Sequence, residues 1–298
     1  MFSRLATILI CTTLSPQLWA AACCGGGLAG PTLIVNDDRA LVTSSYGYSQ
    51  VHADVSTDQT WRKRQTTESF ETFKLDAAQI FRDRWQAGVS LPVIRRAREE
   101  NSEAGLGDIT TSLGYEALPD WDYHPYRPRG LVFLQVTAPT GTPVAEAESD
   151  YLLDARGRGF WAVGVGTFLT KSFGRYDVFT SADVHHSFSR SYENGQARGE
   201  LNPGFGSHLT VGAGYNRDKW RWGASLTSSS EEPVEISGPN PSQGASQRDM
   251  TASLSSSVSL KENWAATLSY NDQTWFGSPS NTSLSRGVTV LLQKRWLR

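Results

Sequence analysis

Over residues 250–270 apolar and hydroxyl positions alternate. Met250, Ala252, Leu254, Val258 and Leu260 are apolar, while Thr251, Ser253, Ser255, Ser257 and Ser259 lie between them. Lys261-Glu262-Asn263 interrupts the run, and the alternation resumes with Trp264, Ala266, Leu268 and Tyr270. Side chains on a strand point to opposite faces in turn, so the stretch predicts a hairpin with one apolar and one hydroxyl-lined face. The three- and four-residue spacing of a helix is absent. Two-faced strands with an aromatic just inside a tight turn are the unit of a transmembrane β-barrel.

The same unit recurs along the chain. A weakly alternating first strand spans 39–54, followed by a polar loop over 57–65. The second strand sets Phe73, Leu75, Ala77 and Phe81 against Lys74 and Asp76, and the third puts Trp85, Ala87, Val89, Leu91 and Val93 on one face. A charged loop is expected over 95–103. The fourth strand, within 107–118, sets Ile109, Leu113 and Tyr115 against Ser112, Gly114 and Glu116. A Pro-rich connector, 119–129, leads to a fifth strand with Val132, Leu134 and Val136 outward. The sixth puts Trp161, Val163, Val165 and Leu169 outward. The seventh sets Tyr176, Val178, Ala182 and Val184 against Asp177, Ser181, Asp183 and His185. Strands eight and nine put Leu209, Val211, Tyr215, Trp220, Trp222 and Leu226 outward, with Thr210, Arg221 and Thr227 inward. The opening hairpin supplies strands ten and eleven, and Val288, Val290, Leu292 and Trp296 mark the twelfth, alternating with Thr289, Gln293 and Arg295.

The fold class expected is therefore all-β, a transmembrane antiparallel up-and-down barrel of about 12 strands over residues 39–298. Connections after strands two, six, eight and ten are short, and those after one, three, five, seven, nine and eleven are long. Short periplasmic turns alternating with long outer loops produce that pattern and put both termini in the periplasm. An aromatic girdle is expected at Trp85, Trp161, Trp220, Trp222, Trp264 and Trp296. A soluble β-sandwich also alternates, but its outer face needs more charge than these Ser-, Thr- and Gly-rich faces carry.

A mean hydropathy of −0.38 does not exclude such a barrel, because one face of each strand is polar. Net charge is −2, which gives no reason to expect a nucleic-acid partner. Residues 1–22 read as a signal peptide: Arg4, an apolar run over 5–14, Pro16 and a small-residue site at Ala20-Ala21-Ala22. Residues 23–38 are expected to form a flexible periplasmic leader. Its Cys23 and Cys24 suit lipidation, a soft-metal or redox site, or a disulfide with each other or a partner; an oxidising compartment favours the disulfide. Leu33-Ile34-Val35, or the 119–129 connector, is expected to narrow the periplasmic mouth.

Candidate lumen-lining residues are Lys74, Asp76, Glu116, Asp183, His185, Arg221 and Arg295. Charge of both signs along a pore tunes selectivity, or braces the wall as internal salt bridges. No metal-ligand spacing appears, His124 and His208 stand isolated, and no cofactor is expected. A hydrolase reading would need Asp183 and His185 to meet a serine inside the barrel, and no G-x-S-x-G is present. The chain is not expected to be an enzyme.

Two short motifs add a resemblance. Gly105-Leu106-Gly107-Asp108-Ile109 leads into one strand, and Pro139-Thr140-Gly141 closes the next. With these, residues 43–298 resemble the transporter-like outer-membrane barrels associated with the meta-pathway of phenol degradation. The resemblance implies uptake of small, often aromatic, compounds. The expected function is an outer-membrane channel or transporter of a Gram-negative cell. It would pass small aromatic or hydrophobic solutes by passive diffusion, with outer-membrane lipid and the barrel-insertion machinery as further partners. The alternatives are a structural or surface-binding barrel with a closed lumen and, third, an outer-membrane hydrolase.

Overall fold

The computed structural model describes residues 31–35, 37–120, 124–194, 197–238 and 241–297. The expected signal peptide and the Cys23-Cys24 pair lie outside the described residues. Twelve antiparallel strands close into a barrel. They are β1 (Asp38–Val55), β2 (Trp61–Phe81), β3 (Trp85–Arg98), β4 in two pieces (Asn101–Leu106 and Ile109–Leu118), β5 (Arg129–Ala138) and β6 (Ala162–Phe173). The rest are β7 (Tyr176–Ser187), β8 (Phe205–Arg217), β9 (Trp220–Glu231), β10 (Gln247–Ser259), β11 (Trp264–Asp272) and β12 (Thr282–Leu297). β12 pairs with β1 from Asp38↔Leu297 to Val55↔Thr282, so the sheet has no free edge and its backbone groups bond within the wall.

The alternation places the faces as the sequence predicts. Val165 and Leu268 point outward and remain 63% and 56% exposed. Lys74, Asp76, Thr110, Ser112, Thr210, Ser253, Ser255 and Ser257 point inward and are buried. This is inside-out relative to a soluble barrel: the apolar face looks outward, where only a hydrocarbon surround would cover it. The β2–β3 turn is tight: Phe81 pairs with Trp85 across three residues, of which Arg82 and Asp83 take left-handed φ of 49° and 60°.

Two loop expectations are corrected. Most of 57–65 and all of 95–103 except Glu99 and Glu100 are strand. Val55 pairs with Trp61 across a five-residue turn, 56–60, and Arg98 pairs with Asn101. These stretches lack apolar alternation because both of their faces meet polar surroundings. Glu71 on the outer face bonds Tyr46 Oη and Arg95, which marks the upper edge of the apolar belt there. The barrel is therefore tall on one side: β2 has 21 residues and β11 has 9. At about 3.4 Å per residue these measure about 70 Å and about 30 Å. Loops 188–204 and 232–246 contribute a second, four-stranded sheet at the same end.

Candidate functional site

At the short-turn end the lumen is filled. Residues 31–35 lie inside the barrel, with Leu33, Ile34 and Val35 all buried. Leu33 and Val35 pack among the inward-facing Leu131, Phe133, Phe168 and Phe179, whose last two rings stack at 5.7 Å; Ile34 packs on Leu41 and Ala78. The buried backbone of this plug finds partners on the wall. Ile34 N–H donates to Gln86 Oε1 at 2.5 Å, Gln86 Nε2 returns to Ile34 O at 3.2 Å, and Ser112 Oγ donates to Thr32 O at 3.1 Å. An unpartnered buried amide costs about 1–3 kcal/mol, so Gln86 and Ser112 are what let an irregular segment sit there. Of the two segments expected to narrow this mouth, the apolar triplet occupies the bore. In the connector, exposed His124 Nδ1 accepts the N–H of Tyr126 and Arg127 and shapes a turn.

Each candidate lumen charge has a partner. Lys74 pairs with Asp76 at 3.2 Å, Glu116 with Arg129 at 2.6 Å, Arg221 with Asp177, and Arg295 with Asp38 at 4.0 Å. Arg129 also reaches Asp37 at 2.9 Å, and Lys171 reaches Asp120 at 3.3 Å. These pairs form braces around the plug end of the wall. The six tryptophans expected to form a girdle stand on the outer face, where Trp85 contacts Tyr115 at 4.8 Å and Trp222 stacks on Tyr215 at 6.2 Å.

At the other end loop 139–161 folds inward, and the two sequence motifs hold its base. Thr140 Oγ1 accepts Ile109 N–H at 3.0 Å and donates to Gly107 O at 2.7 Å. Asp108 Oδ1 accepts Gly141 N–H at 3.0 Å, and its Oδ2 accepts Arg158 N–H at 2.7 Å. Gly157 is required at this crossing, because a Cβ there would stand 2.3 Å from Asp108 Oδ1. Farther out, Arg96 from β3 donates to Leu152 O and Ala155 O, both at 2.9 Å, and pairs with Glu68 at 2.7 Å. Leu153 and Ala155 are thereby buried. The exposed turn of the loop is tied by Asp154. The Ser149 hydroxyl, then the Glu148 amide, hold its carboxylate low, at about 2.

Between this lid and the plug lies a cavity of about 940 Å³. Phe70, Ile94, Val144 and Phe160 line it beside Arg64, Arg156, Arg158 and Glu68. Small-molecule sites run to roughly 1,000 Å³, so the space suits a whole small solute with apolar and charged wall within reach. Arg64, Glu68, Arg96, Arg156 and Arg158 are absent from the sequence-based set. They lie on extended strand ends or on a loop whose inward fold has no periodic signal.

Asp183 and His185 do face inward, but they turn to different partners. Asp183 contacts His208 Nδ1 at 3.0 Å, which corrects the reading of His208 as isolated: the β7–β8 register sets these two residues opposite each other. His185 Nε2 lies 3.2 Å from Arg158 Nη1 and 3.2 Å from Glu231 Oε2, and its ring stacks on His208 at 5.4 Å. Among the described residues no serine hydroxyl bonds His185 and Asp183 does not orient it, so the Ser-His-Asp arrangement is not assembled.

No family model matches the chain, and no characterised protein matches it in sequence. Among solved structures, the toluene transporter TodX of Pseudomonas putida aligns at 10% identity over 87% of this chain and 89% of its own, with a TM-score of 0.42. The translocator domain of the autotransporter NalP from Neisseria meningitidis aligns at 12% identity over 88% of this chain and 90% of its own, with a TM-score of 0.45. An outer-membrane channel from Pseudomonas putida F1 aligns at 11% identity over 88% of this chain and 97% of its own, with a TM-score of 0.70; the likeness to that channel is one of fold.

Proposed function

We propose that this chain is an outer-membrane channel of a Gram-negative cell that passes small solutes, aromatic and hydrophobic ones among them, by passive diffusion. The observation that carries the reading is the roughly 940 Å³ cavity inside the barrel, walled by Phe70, Ile94 and Phe160 as well as by arginines. Nothing in the sequence suggests a nucleotide-binding loop, so a solute gradient supplies the driving force. The apolar belt contacts outer-membrane lipid. The short turns and both chain termini face the periplasm, and the aromatic last strand serves recognition by the insertion machinery. The shared fold with a Pseudomonas channel is consistent with this reading, as is the resemblance of the two loop motifs to the phenol-pathway barrels. Liposome swelling tests it: vesicles containing the refolded protein should swell in small aromatic acids and alcohols faster than protein-free vesicles. Equal rates would reject the proposal.

The plug favours a second reading, a closed barrel that serves as a structural or surface-binding protein. Ile34 is 1% exposed, and the segment around it obstructs the short-turn end. Swelling that stays at the protein-free rate even after removal of residues 31–35 would support that reading.

A further inference from the structure

The inward faces of β7, β8 and β9 hold a cluster that neither solute passage nor wall bracing explains. Asp183, His185 and His208 each offer one ligand atom, and the three atoms lie within 4.8 Å of one another. His208 Nδ1 and the Asp183 carboxylate already sit 3.0 Å apart, close to the separation of two donors sharing one small cation. His185 is 1% exposed, and its Nδ1 has no hydrogen-bond partner. Its other nitrogen, Nε2, faces Glu231 Oε2 at 3.2 Å. With the proton on Nε2 toward the Glu231 carboxylate, the Nδ1 lone pair is free, the usual support behind a metal-bound histidine. Arg158 Nη1, a donor 3.2 Å from the same Nε2, favours the opposite tautomer, so metal binding has to select the first.

Charge points the same way. The guanidinium of Arg158 also approaches His185, but it pairs with Glu231 Oε1 at 2.7 Å, so those two charges match each other. Among the described residues neither Asp183 nor nearby Asp249 has a lysine or arginine ion pair. Apart from Arg158, whose charge Glu231 matches, imidazoles alone meet the carboxylate charge of Asp183. Gly206 keeps the space open, since a Cβ there would stand 2.3 Å from the His185 ring.

We propose that Asp183, His185 and His208 form a binding site for a divalent first-row transition ion of the zinc class inside the lumen, with Glu231 as the residue that positions His185. Two imidazoles and one carboxylate suit zinc, nickel or copper over magnesium or calcium. The site does not depend on the channel reading, since it rests on these side chains alone.

The test is calorimetric titration of zinc chloride into the refolded full-length protein in detergent. A Cys11→Ser/Cys23→Ser/Cys24→Ser background removes the thiols as competing ligands. One zinc ion per chain is expected. His208→Ala and Asp183→Asn should abolish the binding, and Glu231→Gln should weaken it about 10- to 100-fold. Heat-dependent gel migration verifies that each variant is folded. Cobalt titration of the same thiol-free background provides a reading that leaves the proposed ligands untouched: visible d–d absorption should appear and be displaced by zinc. Absence of zinc binding, or binding unchanged in folded His208→Ala, would overturn the site; the cluster would then be an ordinary His–Asp ion pair.

Discussion

Asp108 Oδ1 accepts the backbone N–H of Gly141 at 3.0 Å, across 33 residues of sequence. The contact joins the middle of one wall strand to the start of the loop that covers the lumen. With Arg158 N–H on its other oxygen at 2.7 Å, one carboxylate clamps both ends of an inward-folded lid.

Asp108→Ala removes both acceptors. Hydrogen bonds to a charged group contribute about 1.5–3 kcal/mol each, so the lid should open at least tenfold more often. Gly157→Ala, which drives a methyl into the same carboxylate, should give the same phenotype without touching any charge. Limited proteolysis of folded protein checks both: cleavage within 139–161 should accelerate, and unchanged cleavage in both variants would reject the clamp.

The plug is held by Gln86, which bonds both backbone groups of Ile34. Gln86→Leu strands two buried polar groups at a cost of about 1–3 kcal/mol each. Residues 31–35 should then leave the bore, and single-channel conductance should rise. Conductance equal to the unmutated protein would mean that apolar contacts with Phe133 and Phe168 alone retain the plug.

The lid's exposed turn carries a pH signature. The Asp154 carboxyl is held at about 2 by the Ser149 hydroxyl and the Glu148 amide. A depressed folded value means that the ionised group stabilises the turn above the ordinary carboxyl range, near 3.9. That contribution is lost as pH falls through about 2. Pepsin cleavage near 148–154 should therefore rise between pH 4 and pH 2, and Asp154→Asn should be cleaved readily across that whole range.

Arg158 is the lid cation that faces the lumen carboxylate of Glu231 at 2.7 Å. Arg158→Ala leaves Glu231 facing the bore without that cation, and wall charge sets ion preference. The reversal potential in a salt gradient should shift toward cation selectivity, and Glu231→Gln should move it the opposite way. No shift in either variant would place this pair off the conduction path.

Much of the wall was legible in the chain, because strand alternation has a two-residue period and decides faces directly. Lys74 and Asp76 lie inward and Phe73 and Leu75 outward for that reason alone. The paired partners of those charges were not legible, since register follows from turns and bulges that sequence spacing does not encode. His208 meets Asp183 only because Thr210 aligns with Ser181 two residues on. The plug did leave a trace: Leu131, Phe133, Phe168 and Phe179 sit at polar-face positions of their strands, and inward apolar residues need something to pack on. The lid left its trace in Asp108 and Gly141, read as a resemblance, whose physical role is the clamp. The tall wall was missed because its strands meet polar surroundings on both faces and lack the alternation.

The most direct test is planar-bilayer recording of the refolded full-length protein beside a variant lacking residues 25–35, which keeps Asp38 as the first paired residue of the barrel. The channel account expects discrete steps from the full chain and larger steps from the variant. Folded barrels of both forms without any steps would contradict it.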